Sequence, residues 1–254
     1  MINTSIRHAL ARRKIEAITI GAVATLSAAG LVRQDDPKLQ LSAAVAKVVH
    51  VEQPAAAEAA MNRMELPNLD HPTVDSWITR FTTTQRGSMA TYLSRMTKYE
   101  GMITSKLAER EMPKELIYLA MIESGFNPTA KSPVKAAGLW QFMSPTAREY
   151  GLQVRGRVDE RINPARSTDA ALTYLTKLHG RFGSWYLAFA AYNTGQGRVA
   201  RIMKEETGQT KGTDADFYRI AHRLPKETRD YVPKMIAAAR IGNEPAKYGF
   251  KVGS

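Results

Sequence analysis

The chain has no cysteine. That excludes disulfides, a thiolate metal site, a cysteine nucleophile and a lipid anchor built on a processed cysteine. Histidine is scarce too, five in 254 residues with no His-x-x-x-His pair, so neither a metal nor another cofactor is expected. The charge balance is strongly basic, +12 from 36 Lys and Arg against 24 Asp and Glu. Yet no Lys/Arg run is longer than Arg12-Arg13-Lys14, and no helix-turn-helix or zinc-finger pattern stands out. Nucleic acid is therefore not the expected partner, and an anionic polymer of the bacterial envelope suits the charge equally well. Period-two alternation is rare, which argues against a sheet protein, and there is no internal repeat.

One long apolar run is present. Ala17 to Val32 is apolar or small throughout, follows Arg7, Arg12, Arg13 and Lys14, and carries a small-x-small site at Ser27-Ala28-Ala29. Residues 1–32 read as a secretory signal or, second, as an N-terminal anchor, although the run is short for a spanning helix. The expected address is the periplasm or cell envelope, not as a lipoprotein, with membrane association through this segment left open. Residues 33–72, rich in Ala, Gln, Glu and Pro, read as a flexible linker with a short helix over 41–51.

From Thr73 the spacing is helical. Val74, Trp77, Ile78 and Phe81 form one stripe, Met89, Tyr92, Leu93 and Met96 a second, and Met102, Ile103 and Leu107 a third, all read as core. Further helices are expected over 145–150 with Ser144 as cap, from Ser167 or Thr168 to His179, and over 185–192, 198–206 and 231–241. Residues 155–161 read as a charged loop without chemistry. The expected organisation is an all-α domain over 73–245 and a tail over 246–254.

Glu123 is the residue that asks for a function. Met112 to Pro128 reads as one helix with Pro113 in its first turn and a break at Gly125. Leu116, Leu119 and Ala120 lie seven, four and three residues before Glu123 and share its face. A carboxyl on an apolar face at the C-terminal end of a helix is disfavoured as a charge by desolvation and by the helix dipole. A protonated carboxyl near neutral pH is what a general acid needs. An ordinary buried ion pair with an Arg is the competing explanation.

Three further segments join it. They are Gly138-Leu139-Trp140-Gln141-Phe142-Met143, Ala191-Tyr192-Asn193-Thr194-Gly195 and Glu227-Thr228-Arg229-Asp230-Tyr231-Val232. Taken singly, Trp140 and Phe142 read as core, Asn193 as a helix C-cap and Tyr231 as a packed aromatic. Together with Glu123-Ser124-Gly125-Phe126-Asn127-Pro128 they resemble, in order and spacing, the catalytic domain of lytic transglycosylases of the soluble-lytic-transglycosylase type. They most resemble the membrane-bound lytic murein transglycosylase D group, over about Val74 to Ile241.

The resemblance implies a lysozyme-like fold with a helical N-terminal extension, and cleavage of the β-1,4 bond between N-acetylmuramic acid and N-acetylglucosamine in peptidoglycan glycan strands. It puts the catalytic carboxyl on Glu123 and substrate binding on Ser132, Gln141, Phe142, Met143, Tyr192, Asn193 and Tyr231, with Ser124 supporting the acid. The group's LysM-like repeats and cysteine signal have no counterpart here, and Ala221-His222-Arg223-Leu224-Pro225 lacks the acidic residue often found before the Leu-Pro step. An envelope or secretion-machine partner is left open.

Ordinary glycosidases need two carboxyls. No Asp or Glu lies between Glu123 and Glu149, and Asp159, Glu160 and Asp169 read as structural. The expected route therefore uses Glu123 twice, as acid and then as base, with the substrate's N-acetyl group and 6-hydroxyl replacing the second acid and water. A goose-type-lysozyme-like muramidase and a non-catalytic peptidoglycan-binding scaffold are the alternatives.

Overall fold

The computed structural model describes residues 71–251. The signal or anchor over 1–32, the helix over 41–51 and nearly all of the linker lie outside them. Among the described residues no helix is long and apolar enough to cross a membrane.

The all-α expectation is borne out. Helices α1 (Pro72–Thr82), α2 (Arg86–Met96) and α3 (Glu100–Ala108) come first. Next is α4 (Ile117–Ser124), led in by a 3-10 turn over Lys114–Leu116, so Pro113 sits just before the helical turns instead of inside the first. Then follow α5 (Ser144–Glu149), α6 (Pro164–Phe182), α7 (Trp185–Thr194), α8 (Gln196–Thr207), α9 (Asp214–Ile220) and α10 (Lys226–Asn243).

The scaffold is organised around α7. Tyr186, Leu187, Ala188, Phe189, Ala190 and Ala191 are all inaccessible, so this helix is apolar on every side and must be wrapped. Helices α6, α8, α9 and α10 do the wrapping. Ser184 caps its start by accepting the Leu187 N–H, and Gly195 ends it at a positive φ of 91°. That stop brings Tyr192 and Asn193 to the polar rim of the core. Helix α10 packs in turn on α1 and α4.

Helices α6, α5 and α10 have boundaries that differ from expectation. Helix α6 starts at Pro164 with Asn163 as its cap, and Ser167 and Thr168 are buried inside it. Their hydroxyls donate to the carbonyls of Asn163 and Pro164, so each buried hydroxyl finds its acceptor within its own helix start. Gly180 has open space around it and stays helical, and Gly183, at φ 71°, is the stop. In α5 the cap is Met143, with Ser144 already helical. Helix α10 begins at Lys226, more than a turn before the expected Tyr231, and runs through Pro233.

Residues 154–159 form a small hairpin, β1 (Val154–Arg155) antiparallel to β2 (Val158–Asp159), with Val154 opposite Asp159.

Candidate functional site

A cavity of about 480 Å³ lies where the end of α4, the end of α7, the first half of α10, the 130–143 loop and α1 converge. Helix α4 contributes Ile122 and Glu123, and α7 contributes Tyr192 and Asn193. From α10 come Glu227, Asp230, Tyr231 and Lys234, at the i, i+3, i+4, i+7 spacing of one helical face. The loop adds Ser132, Val134, Ala136, Gln141 and Met143, and α1 adds Trp77.

Glu123 is held at the end of α4 because Ile117 to Met121 are buried and Gly125 turns the chain away at φ 56°. A side chain on Gly125 would overlap the Tyr92 ring. Ser124 donates to the carbonyls of Ala120 and Leu139, at 3.2 and 2.9 Å, and so ties this end to the loop. The Tyr231 hydroxyl donates to Oε1 of Glu123 at 2.5 Å.

Burial pushes the Glu123 carboxyl up from its ordinary 4.5 to about 7. The Tyr231 hydrogen bond and the Lys234 charge pull it down, and the Glu227 charge pushes it further up. Such a group is part protonated and part ionised near neutrality, so it can give a proton and take one back. Burial, reinforced by the nearby Glu123 charge, holds the phenols of Tyr192 and Tyr231 well above 10, so both remain neutral donors. Tyr192 gives its proton to the Trp140 carbonyl at 2.8 Å.

The loop facing Glu123 is fixed from behind by Arg161. Its guanidinium grips the Asp159 carboxylate through Nε and Nη2, both at 2.8 Å. Nη1 donates to the carbonyls of Lys135 and Phe142, at 2.8 and 2.9 Å. The 3-10 turn Glu160–Ile162 that follows the hairpin thus presents an arginine to the loop, and this charged segment, read as carrying no chemistry, is the loop's anchor. Gly138, at φ 86°, lies so close to the Arg161 carbonyl that a Cβ would sit 1.8 Å from its oxygen. Gln141 is also at positive φ, 48°, and its Nε2 donates to the carbonyls of Ala130 and Gly138. Its amide oxygen is left to accept a donor from the cavity. Ser132 accepts the Ala136 N–H, which leaves its hydroxyl proton free to be given.

Most of the expected site residues converge here: Glu123, Ser132, Gln141, Met143, Tyr192, Asn193 and Tyr231 all line the cavity. Phe142 does not. It is buried against the rings of Tyr174 and Tyr192, because its backbone carbonyl turns toward Arg161 and its side chain turns into the core. Trp140 is fully buried and donates to Thr168, as the core reading had it. Asn193 is no terminal cap: its oxygen accepts from Thr228 at 2.7 Å and its nitrogen reaches Glu227 at 3.4 Å, joining α7 to α10.

Besides the aliphatic Ile122, Val134 and Ala136, four lining residues are not among the expected site residues: Trp77, Glu227, Asp230 and Lys234. Trp77 was assigned to the core. Glu227 and Asp230 stand in the quoted motif around Tyr231 but are given no role there, and Lys234 lies just beyond it. In the helix that starts at Lys226 all three share a face with Tyr231. Carboxylates do therefore share the cavity with Glu123, although they come from far along the chain. Asp159 pairs with Arg161, and Asp169 with Lys106 and Arg110. Among the described residues no group of acidic or histidine side chains could hold a metal ion.

Residues 101–214 match the family model described as Transglycosylase SLT domain. The membrane-bound lytic murein transglycosylase D of Escherichia coli K12 is 40% identical over 159 residues, covering 62% of this chain and 34% of that protein. The peptidoglycan transglycosylase gp16 of Escherichia phage T7 is 34% identical over 145 residues, covering 56% of this chain and 10% of that protein. The chain thus spans about a third or less of these relatives. The crystal structure of the 70 kDa soluble lytic transglycosylase of Escherichia coli aligns with 58% of this chain and 24% of that one, at 25% identity and a TM-score of 0.48.

Proposed function

We propose that the protein cleaves the β-1,4 bond between N-acetylmuramic acid and N-acetylglucosamine in peptidoglycan, without water, on a lysozyme-like helical scaffold, a reading supported by the match of residues 101–214 to the transglycosylase SLT domain model. The observation that carries this reading is the Glu123 carboxyl, raised to about 7 by burial in a cavity lined with tyrosine and amide groups.

In the proposed reaction Glu123 gives its proton to the glycosidic oxygen as the bond to the anomeric carbon breaks. The substrate's N-acetyl group stabilises the positive charge developing on that carbon. The Glu123 carboxylate then takes the proton of the muramyl 6-hydroxyl, whose oxygen bonds to the anomeric carbon and closes a 1,6-anhydro ring. The attack is intramolecular, so positioning supplies much of the rate. The amide oxygen of Gln141, Asn193 and the hydroxyl of Ser132 would hold the sugars, and Tyr231 would steady the acid in both of its states. The periplasm or envelope is the setting this substrate implies. An N-terminal signal or anchor and a partner in an envelope or secretion machine belong to the same proposal.

A second reading is favoured by one observation. Glu227 and Asp230 line the same cavity as Glu123, and either could activate water for hydrolysis. Digestion of purified sacculi with mass analysis separates the two. Anhydro ends support the transglycosylase, and products heavier by one water overturn it in favour of a muramidase. No release of fragments while the protein still binds sacculi would leave a scaffold.

A further inference from the structure

Lys234 is a cation at the back of a cavity whose other charged lining residues, Glu123, Glu227 and Asp230, are acidic. Its Nζ donates to the Ile122 carbonyl at 3.2 Å and lies 5.7 Å from the centre of the Trp77 ring. The Ile122 carbonyl belongs to the last turn of α4, where no further helical N–H is available to it. A lysine there completes the helix end and opposes its negative pole. Arg80 stands over the same indole at 5.0 Å, and Asp75 on α1 pairs with Arg240 of α10. Helix α1 thus roofs the lysine with an aromatic face. Both α1 and α10 lie outside residues 101–214.

An acid that must also act as a base has to be tenable in both forms. Burial alone would make the anion of Glu123 costly. Two groups on α10 offset this: Tyr231, by direct hydrogen bond, and Lys234, through space. Two oppose it or stand neutral beside it: Glu227 on α10 works against the anion, and Tyr192 on α7 is an uncharged phenol. On the α2 side, Arg95 reaches the Gly125 carbonyl at 3.5 Å, just past the helix end. Burial also lowers the Lys234 ammonium from 10.5, while Glu123 and Glu227 hold it up.

We propose that Lys234 is a positioning residue for the reaction: it clamps the end of α4 and makes the anion of Glu123 tenable between proton donation and proton return, under a Trp77 cover that keeps bulk water off the ammonium. This rests on the reading of Glu123 as the acid and base.

The test is the pH dependence of muropeptide release from sacculi by the full chain carrying Lys234→Gln. That variant keeps a donor for the Ile122 carbonyl and loses the charge. The alkaline limb is expected to move up by about one pH unit, with a lower plateau, and Lys234→Arg is expected to restore both. Titration of carboxyl-labelled Glu123 by NMR should show the same shift in the absence of substrate. A plateau that falls with the limb unmoved, and Lys234→Arg no better than Lys234→Gln, overturns the proposal and leaves Lys234 a packing residue. If Lys234→Gln does not fold, an unshifted Glu123 titration in Lys234→Met does the same. Undiminished release by Glu123→Gln would sink the underlying reading instead, whatever Lys234 does.

Discussion

The Tyr231 hydroxyl and the Glu123 carboxylate, 108 residues apart in sequence, meet in a 2.5 Å hydrogen bond. A phenol that donates to a carboxylate favours the ionised form, so it restrains the rise that burial imposes. Tyr231→Phe is therefore expected to raise the Glu123 pKa above about 7 and carry the alkaline limb of the rate profile with it. Hydrogen bonds to charged groups contribute about 1.5–3 kcal/mol, which corresponds to a shift of about one to two pH units. A profile recorded between pH 5 and 9 checks this.

Glu123→Gln is expected to lower kcat by about a thousandfold, the scale of general acid and base catalysis, with the far-UV spectrum unchanged. Its effect on stability depends on pH. The folded carboxyl binds its proton more tightly than the unfolded one, so folding bears no cost below 4.5, a growing cost up to about 7, and a constant cost above. Wild-type stability should fall over that window relative to the variant, by up to about 3 kcal/mol. Paired urea melts at pH 4.5 and pH 8 measure the difference, and equal gaps at the two pH values would contradict it.

Glu227→Gln is expected to move the alkaline limb down, because it removes a like charge near Glu123. It also separates the two chemistries. Anhydro products should persist in this variant, whereas a hydrolase using Glu227 as its base would lose turnover.

Arg161→Met is expected to lose both stability and activity. It strands the Asp159 carboxylate and leaves the Lys135 and Phe142 carbonyls without their donor, at a cost of about 2–4 kcal/mol. Thermal melts give the stability. A rise in KM larger than the fall in kcat would show that the loop bearing Gln141 has lost its position.

Much of this site is legible in the sequence. The apolar face shared by Leu116, Leu119, Ala120 and Glu123 follows from helical periodicity, and Leu116, Leu119 and Ala120 are indeed fully buried. The stops at Gly125 and Gly195 were legible as glycines that end apolar helices. Long-range meetings were not legible. The common face of Glu227, Asp230, Tyr231 and Lys234 follows from helical spacing, but nothing local says that this face docks against α4 and α1 around a cavity. Arg161 was hidden for another reason. Its partners are the backbone carbonyls of Lys135 and Phe142, and backbone groups carry no residue-specific mark in a sequence.

Since Glu123 lies on α4 and its restraining partners lie on α10, the acid is tuned only when the last long helix docks. A chain that has folded as far as α9 holds the carboxyl but not the phenol that steadies it, nor the lysine behind it. Closing a contact across 108 residues carries a chain-entropy cost that local helix formation does not. Any molecule in which α10 is undocked therefore holds an unfinished proton shuttle, and chemical competence depends on the completed tertiary structure.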